Sequence, residues 1–253
     1  MNKIAYNAMS GMAVEMHRQE IIAANLAAVD VPGYKSEFLV TSPFLNQLNE
    51  QGLDGVKGGH VKVDFEQGAL KNTGRRLDFA LQGEGFFQVG DAAGKELYTR
   101  NGAFRVDSNL RLITDNGMAV LDENNNEIMF LPQDDLNRLE VSPEGELKVM
   151  GDASQNYAYR TIGKLKIRQI ANPEDMERLS GSYFRMKEGT TARAFADNTP
   201  EVAVRNAALE EANVSAMKSM TMLIQSSRDF EMCNKVMRML SESYGKEQQT
   251  FNS

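Results

Sequence analysis

Residues 24–35 read Ala-Asn-Leu-Ala-Ala-Val-Asp-Val-Pro-Gly-Tyr-Lys, and they mark the point where a helical sequence stops. Pro32 lacks the N–H that a helix interior needs and Gly33 favours a turn, so we expect the helix to end before them. Residues 2–29 carry apolar side chains at spacings of three and four, which predicts one amphipathic helix. Its stripe consists of Ala5, Met9, Met12, Met16, Gln19, Ala23 and Leu26.

A second long helical pattern runs from about residue 214 to 249, with Asn213 as the expected N-cap. Its large apolar residues recur every seven positions, a spacing typical of a coiled coil. We therefore expect the two terminal helices to pair, and we expect further copies of the chain to cover the apolar residues left over. The alternative is a helical hairpin that lies against the middle of the chain. The repeat consists of Leu223, Phe230, Met237, Tyr244 and Phe251, with Ser226, Cys233 and Leu240 beside it.

Between the helices, short alternating segments are separated by turn residues. Asn101-Gly102 and the Asn-Gly pair at 116–117 supply the positive φ angles of tight hairpin turns. This pattern predicts an all-β module with many reversals. The predicted strands are 86–89, 96–99, 103–106, 110–114, 118–121, 127–131, 138–141, 146–149 and 162–170.

The predicted fold class is α+β, with an all-β central domain and terminal helices that pair as an α-helical coiled-coil domain. We expect residues 1–35 and 213–253 to form this helical domain and residues 73–189 to form the all-β outer domain. The segments 36–72 and 190–212 are expected to be extended β connecting arms, and residues 61–65 within them alternate as a half-buried strand does.

The composition disfavours several classes of function. The formal net charge is −7 with no basic block, which is unsuited to binding nucleic acid. The single cysteine, Cys233, excludes an internal disulfide and a cysteine-based zinc cluster, and we expect it to be packed and inert. We find no apolar run of the roughly 18 residues that a membrane span needs, and no apolar segment typical of a secretory signal peptide.

No set of residues nominates a catalytic, cofactor or metal site. His17 and His60 lie far apart in the sequence and are expected to be exposed. Gly83-Glu-Gly85 lacks the Gly-Lys-Ser/Thr ending of a phosphate loop. The acidic and amide residues at 115–117 and 123–126 lack the ligand spacing of a calcium loop. We therefore expect no enzyme activity, no cofactor, no metal and no small-molecule substrate.

Residues 25–35 resemble the N-terminal signature of flagellar rod and hook proteins. Residues 77–89 resemble the central motif of that family, and residues 98–104 and 112–117 the segment after it. Residues 209–214 and 230–236 resemble its C-terminal signature. The sequence departs from the pattern at Ala28, where the family usually has Asn, so one side-chain amide near the helix end is lost. The motif residues are Asn25, Leu26, Pro32, Gly33, Tyr34, Leu77, Asp78, Gly83, Gly85, Phe86, Phe87, Asn101 and Gly102.

The resemblance implies a structural subunit of the bacterial flagellar basal-body rod. Such a subunit would polymerise through its terminal helices into a tube that transmits torque and continues the export channel. The implied partners are other rod proteins, copies of this chain and the flagellar type III export apparatus. The implied location is the rod in the periplasmic space, reached without a cleaved signal peptide.

Within the family, the chain length and residues 228–232 and 248–253 point to the proximal rod, with the distal rod as the alternative. A β-domain that binds carbohydrate at the end of a helical stalk is a less favoured function, because Trp is absent.

The residues expected to carry function are contact residues. The resemblance implies that Phe38 belongs to an export-recognition segment, and a buried anchor for the arm is the alternative. Leu77, Phe79 and Leu81 are expected to root the β-module together with Phe86 and Phe87. The predicted subunit-interface residues are Met9, Met12, Met16, Ile22, Leu26, Leu223, Phe230, Met237, Leu240 and Tyr244.

Overall fold

The chain forms two units, each assembled from segments that are distant in the sequence. We name them the helical unit, residues 1–27, 36–64 and 214–253, and the β unit, residues 28–35 and 65–213. The computed structural model describes residues 2–41, 59–90, 95–150, 159–170, 172–187, 193–194 and 202–251, with side chains for all of these except 2–6, 193–194 and 244–251.

The helical unit contains the two long helices and one pair of strands. Helix α1 spans Asn2–Ala27 and helix α2 spans Ala216–Phe251. The helices pack against each other and run antiparallel, because Glu15 lies beside Ser226 whereas Gly11, earlier in the chain, lies beside Cys233. Strand β1 (Glu37–Val40) pairs antiparallel with β2 (His60–Val63) and lies against α1.

The β unit is built from short antiparallel strands. Its largest described sheet has the strand order β14-β15-β6-β5-β9-β8-β7, and β13 joins β5 to β16 beside this path. A second sheet has the order β10-β11-β12, and β17 pairs with β4 and β18 with β3. The bounds are β3 Leu70–Asn72, β4 Phe79–Gln82, β5 Phe86–Gly90, β6 Glu96–Thr99, β7 Phe104–Val106, β8 Leu112–Thr114, β9 Ala119–Val120, β10 Leu139–Val141, β11 Glu146–Met150, β12 Tyr159–Lys164, β13 Ile167–Gln169, β14 Met176–Ser180, β15 Tyr183–Met186, β16 Arg193–Ala194, β17 Ala203–Asn206 and β18 Ala208–Glu210.

The core of the β unit is aromatic and aliphatic. The rings of Phe87 and Phe104 meet edge to face with centroids 5.3 Å apart, and Phe79 lies 5.9 Å from Phe104. Such pairs add stabilisation beyond the burial of apolar area. Leu81 is fully buried in the same cluster, and Leu77 packs against it. The central motif of the chain therefore supplies the centre of this core.

The structure confirms an α+β fold with a mostly β centre and one helix at each end. The sequence placed residues 28–35 with the helices and residues 36–64 in a connecting arm. In the structure, residues 28–35 belong to the β unit and residues 36–64 to the helical unit. The pairing of α1 and α2 as a coiled coil stays a prediction.

Four local predictions were wrong. Asn101-Gly102 is not a hairpin turn, because neither residue has positive φ and the flanking strands β6 and β7 pair with other strands. Residues 127–131 make only the isolated bridges Leu121–Glu127 and Arg111–Met129 instead of a strand. The predicted strand 162–170 divides into β12 and β13. The N–H groups of Leu165 and Lys166, between these strands, donate to the carbonyls of Gly145 and Leu121, which lie outside the partner strands of β12 and β13.

The expected N-cap is also different, and Ser215 caps α2 in place of Asn213. The backbone N–H of Lys218 donates to Ser215 Oγ at 3.4 Å. The Asn213 side chain donates instead to the carbonyl of Glu66 at 3.2 Å, within the β unit.

Candidate functional site

The segment 28–35, which carries the N-terminal signature, docks on the β unit through a tight turn. The N–H of Gly33 donates to the carbonyl of Glu210 at 2.8 Å, and Gly33 has φ +65. A Cβ at this position would overlap the backbone of Arg100 and Asn101, lying 2.6 Å from the Arg100 carbonyl oxygen. Glycine is therefore required both by the positive φ and by the close approach.

Lys35, Arg100 and Glu210 form what we name the buried ion cluster. Lys35 Nζ lies 2.6 Å from Glu210 Oε1, and Arg100 Nη1 lies 3.3 Å from Glu210 Oε2. The N–H of Gly68 also donates to Glu210 Oε1 at 3.0 Å, and Lys35 donates to the carbonyl of Glu66 at 2.7 Å. All three charged side chains are buried, so the carboxylate holds two cations out of contact with water.

The electrostatics of this cluster suit a structural role. Burial lowers the pKa of Arg100, and the attraction of Glu210 opposes that shift. The Arg100 guanidinium also lies over the Phe86 ring, 5.0 Å from its centroid. A buried ion pair of this kind specifies a conformation, and removing one partner is costly because the other charge stays buried. The cluster thus fastens three distant segments of the chain.

Tyr34 is also buried, and a second arginine packs against its ring. The Arg178 guanidinium lies 4.5 Å from the centroid of the Tyr34 ring and 4.9 Å from that of Phe184, a cation–π arrangement. Arg178 also donates to the carbonyl of Lys35. Sequence reasoning missed Arg178, because no local pattern links it to a segment 143 positions earlier.

The other motif residues of the β unit serve backbone geometry. Asn101 Oδ1 accepts from the N–H of Ala103 at 2.9 Å. A Cβ on Gly102 would overlap the carbonyl of Phe79, so this position also requires glycine. Asp78 Oδ2 accepts from the Thr73 hydroxyl at 2.6 Å.

The remaining motif glycines and aromatics lie around strands β4 and β5. Gly83 has φ +108 in the turn between these strands. Phe86 and Phe87 are buried on β5, and Gly85 before them is buried as well. Pro32 is half-buried next to Gly33.

In the helical unit, Asn25 holds strand β1. Its side-chain amide donates to the carbonyl of Glu37 at 2.7 Å and accepts from the N–H of the same residue at 2.9 Å. The side chain thereby pairs with β1 as a neighbouring strand would. Asn25 is buried, and Leu26 beside it is half-buried.

The stripe predicted on α1 is only partly covered in the single chain. Met9 and Met16 are exposed, and Met12 is half-buried. The buried apolar residues are Val14, Ile21 and Ile22 instead. Among the predicted interface residues of α1, Ile22 is therefore covered within one chain while Met9 and Met16 are not.

The seam predicted on α2 does face inward. Leu223, Phe230, Met237 and Leu240 are half-buried, while the side chain of Tyr244 lies outside the described residues. Ser226 is buried in the same seam and donates to the Glu15 carboxylate at 2.7 Å.

The opposite side of α2 is exposed and rich in methionine. Met217 is 81 % exposed, although its side chain is apolar. At about 100° per residue, Met217, Met220, Met232 and Met239 lie across the helix from Ser226, whereas Met222 is exposed at the edge of the seam. We name Met217, Met220, Met222, Met232 and Met239 the methionine face, and Ile224 and Val236 are exposed beside it.

Phe38 lies on β1 opposite Lys62 and is 46 % exposed. This exposure fits a recognition residue better than a buried anchor. Its role in export stays a prediction.

The described residues contain no group of three His, Cys, Asp or Glu side chains that could hold a metal ion. Within the same part of the chain, neither helix has the length and apolar character needed to cross a membrane. His17 lies on α1 with Nδ1 3.3 Å from the Glu20 carboxylate, and His60 is exposed at the start of β2.

Family models of flagellar rod and hook proteins match three segments of the chain. Residues 6–35 match the family model described as flagella basal body rod protein. Residues 80–149 match the flagellar hook protein FlgE/F/G D1 domain, and residues 205–249 match the flagellar basal body rod FlgEFG protein C-terminal model. Lys35, Arg100 and Glu210 each lie in a different matched segment.

Relatives align over almost the whole chain. The flagellar basal-body rod protein FlgF of Buchnera aphidicola is 27 % identical over 100 % of this chain and 99 % of its own length. FlgF of Escherichia coli is 27 % identical over 98 % of both chains. The flagellar basal-body rod protein FlgG of Borreliella burgdorferi is 27 % identical over 97 % of both, so identity does not separate the two types. From the three matched segments and these alignments, we conclude that the chain belongs to the flagellar basal-body rod protein family.

Proposed function

We propose that this chain polymerises through α1 and α2 into the tube of the bacterial flagellar basal-body rod. As a member of the rod family it is a structural subunit and not an enzyme. The observation that carries the proposal is the methionine face, whose five apolar side chains are left exposed by the described residues of the single chain. A group of exposed large apolar side chains is typical of interaction sites on soluble proteins.

The energy available from covering this face is sufficient for assembly. Burial of one large apolar side chain contributes about 1.5 to 3 kcal/mol, so five methionines offer on the order of 10 kcal/mol before ordering costs. The exposed Met9 and Met16 on α1 add a second apolar surface. Methionine suits both surfaces, because its flexible thioether adapts to related but non-identical neighbours.

The proposal extends to the role of the tube. The subunit transmits torque and lines a continuation of the export channel, in contact with copies of itself and with other rod proteins. It reaches the periplasmic space through the flagellar type III export apparatus, without a cleaved signal peptide. The buried ion cluster supports the mechanical role, because it locks three segments of the β unit into one conformation.

We assign the proximal position within the rod to this chain, on the resemblance of residues 228–232 and 248–253. The distal position is the alternative. Expression in two strains, one lacking its proximal and one its distal rod subunit, separates them. Recovery of swimming in the first strain alone is expected, and recovery in the second alone would reverse the assignment.

Polymerisation through α2 is tested by one charge at an exposed methionine. Met220→Glu is expected to abolish incorporation of the chain into purified basal bodies, because the glutamate would be buried against a neighbouring subunit. Met129→Glu is the matched control, since Met129 in the β unit is 54 % exposed and Met220 is 53 % exposed. Deletion of residues 214–253 should also abolish incorporation while the β unit stays folded. Rods built from the truncated chain would refute the proposal.

Phe38 is proposed as an export-recognition residue because its ring is exposed on β1. Phe38→Ala is expected to lower secretion of the chain by flagellated cells, with unchanged cytoplasmic expression. Val61→Ala on the paired strand β2 is the control, since Val61 is also exposed. Equal secretion of the two variants would remove Phe38 from this role.

A further inference from the structure

Exposed methionines are concentrated on one helix. Helix α2 contains six methionines, five of which form the exposed methionine face, while Met237 is half-buried towards α1. The β unit provides two internal references, because Met176 is buried on β14 and Met129 is exposed on a different surface. The thioethers of one helix thus differ strongly in access to solvent.

We propose that the methionine face is an oxidation site, and that oxidation by hydroperoxides prevents the chain from assembling. This inference depends on the proposed function, because the face matters only if neighbouring subunits cover it. In the free subunit, the five thioethers are open to small oxidants. In the assembled state, a neighbour that covers the face also shields it.

The chemistry needs only the peroxide as co-reactant. A lone pair of the thioether sulfur attacks one oxygen of hydrogen peroxide, a sulfur–oxygen bond forms and the oxygen–oxygen bond breaks. The sulfur loses two electrons, the peroxide gains them, and the remaining oxygen leaves as water after proton transfer. Methionine sulfoxide reductases reverse the step at the expense of a thiol reductant, so the modification is reversible.

The consequence for assembly follows from polarity. A sulfoxide is polar and chiral, and burying a polar group without a hydrogen-bond partner is unfavourable. Five sulfoxides on one face would cancel most of the apolar gain estimated for contact. Oxidised subunits are therefore excluded from the rod until they are reduced.

The first test measures where oxidation occurs. The purified full-length chain is treated with hydrogen peroxide, and peptides are quantified over time by mass spectrometry. Met217, Met232 and Met239 are expected to oxidise about tenfold or more faster than Met176, following their exposure. Equal rates at Met176 and at the methionine face would overturn the inference.

The second test measures whether a polar face blocks assembly. Glutamine imitates the size and polarity of a sulfoxide, and leucine keeps the face apolar without an oxidisable sulfur. A variant with all five methionines of the methionine face changed to leucine is expected to incorporate into basal bodies. The variant with the same five residues changed to glutamine is expected to incorporate at least tenfold less. Met129→Gln, the control on the β unit, should incorporate normally. Both variants carry substitutions at Met217, Met220, Met222, Met232 and Met239.

The outcomes separate this inference from the proposed function. If the unmodified chain incorporates and the glutamine variant incorporates equally well, the oxidation inference is wrong while rod membership stands. If the unmodified chain is absent from purified basal bodies, the proposed function itself fails. Folding of each variant is checked by far-ultraviolet circular dichroism, and loss of incorporation counts in favour only when the helical signal is unchanged.

Discussion

The β unit and the helical unit bury their apolar residues in opposite ways. In the β unit, Phe79, Phe87 and Phe104 are fully enclosed by neighbouring strands. In the helical unit, the two helices cover only one side of each other, and Met217 is 81 % exposed. The β unit is therefore stabilised from within, whereas the helical unit needs neighbours to complete its core.

Polar groups show the same contrast. The β unit encloses a complete buried ion cluster in which Glu210 meets two cations. In the seam of the helical unit, Ser226 donates to Glu15, which also binds Arg18 at the edge of the helix. Buried ion pairs thus fix the packing of the β unit, whereas a side-chain hydrogen bond between α1 and α2 has this role in the helical unit.

The two units also offer separate probes. The helices dominate circular dichroism at far-ultraviolet wavelengths, whereas Tyr34, Tyr98 and Tyr183 are buried in the β unit and the chain has no Trp. Tyrosine signals in the near ultraviolet therefore report mainly on the β unit. Substitutions in either unit can be followed independently in the full-length chain.

The largest effect is expected at the buried ion cluster. Glu210→Gln leaves Lys35 and Arg100 buried without a counter-charge, and should lower the free energy of unfolding of the β unit by about 3 to 5 kcal/mol. Glu211→Gln is the matched control, because Glu211 pairs with Lys71 on the surface and should change it by less than about 1 kcal/mol. Urea unfolding followed by tyrosine signals measures both. Equal effects at 210 and 211 would contradict the role of the cluster.

A somewhat smaller effect is expected at the signature turn. Gly33→Ala combines a positive φ with overlap against the backbone of Arg100, and should cost about 3 kcal/mol. Gly74 also has positive φ, +74, but a Cβ there meets no atom within 4 Å. Gly74→Ala should therefore cost only about 1 kcal/mol. A similar cost at both positions, measured by urea unfolding, would show that close docking of the turn is unimportant.

Alkaline pH provides a third test of the enclosed β unit. Burial raises the pKa of Tyr98 from 10.0 to about 12, with the Glu96 carboxylate adding to the shift. Above pH 10 the unfolded chain releases this proton while the folded chain retains it, so stability falls as pH rises towards 12. The loss amounts to about 2 kcal/mol.

Tyr98→Phe lacks this proton and should therefore lose less stability than the unmodified chain between pH 10 and 12. Below pH 10 the two proteins should show parallel pH dependence, because Tyr98 is neutral in both states. Urea unfolding at several pH values measures the difference. An identical decline in both proteins above pH 10 would remove Tyr98 as its source.

The smallest effect is expected in the helical unit. Ser226→Ala removes a hydrogen bond to the partly buried Glu15 carboxylate, and should lower the stability of the helix pair by about 1 kcal/mol. Ser227→Ala is the control, since Ser227 is exposed on the next position. Thermal melting followed by far-ultraviolet circular dichroism detects the difference. A loss of stability seen only in the tyrosine signal would contradict this prediction, because that signal reports on the β unit.

The sequence predicted those features that depend on neighbouring residues. Pro32 and Gly33 cannot continue a helix, and α1 ends at Ala27 before them. Leu223 and Phe230 of the seven-residue repeat of α2 are half-buried in the single chain, and their part in a subunit interface stays a prediction. On α1, apolar residues occur on more than one side, so periodicity selected the stripe through Met9 and Met16, which α2 does not cover.

The buried ion cluster could not be predicted in the same way. Lys35 and Glu210 are 175 positions apart, and each alone reads as an ordinary surface charge. The available signal was position, because Lys35 ends the signature stretch and Arg100 directly precedes the motif residues Asn101 and Gly102. A charged residue inside a glycine-rich structural motif merits consideration as a buried partner.

By itself, the sequence determined where the helices lie, that the centre is β-structured and which family the motifs resemble, because these depend on periodicity and on short local patterns. Only the tertiary structure decided that Lys35, Arg100 and Glu210 meet, which side of α1 packs against α2, and which methionines stay exposed. Those outcomes depend on contacts between segments far apart in the chain, where burial and charge are set by the partner and not by the neighbouring residues.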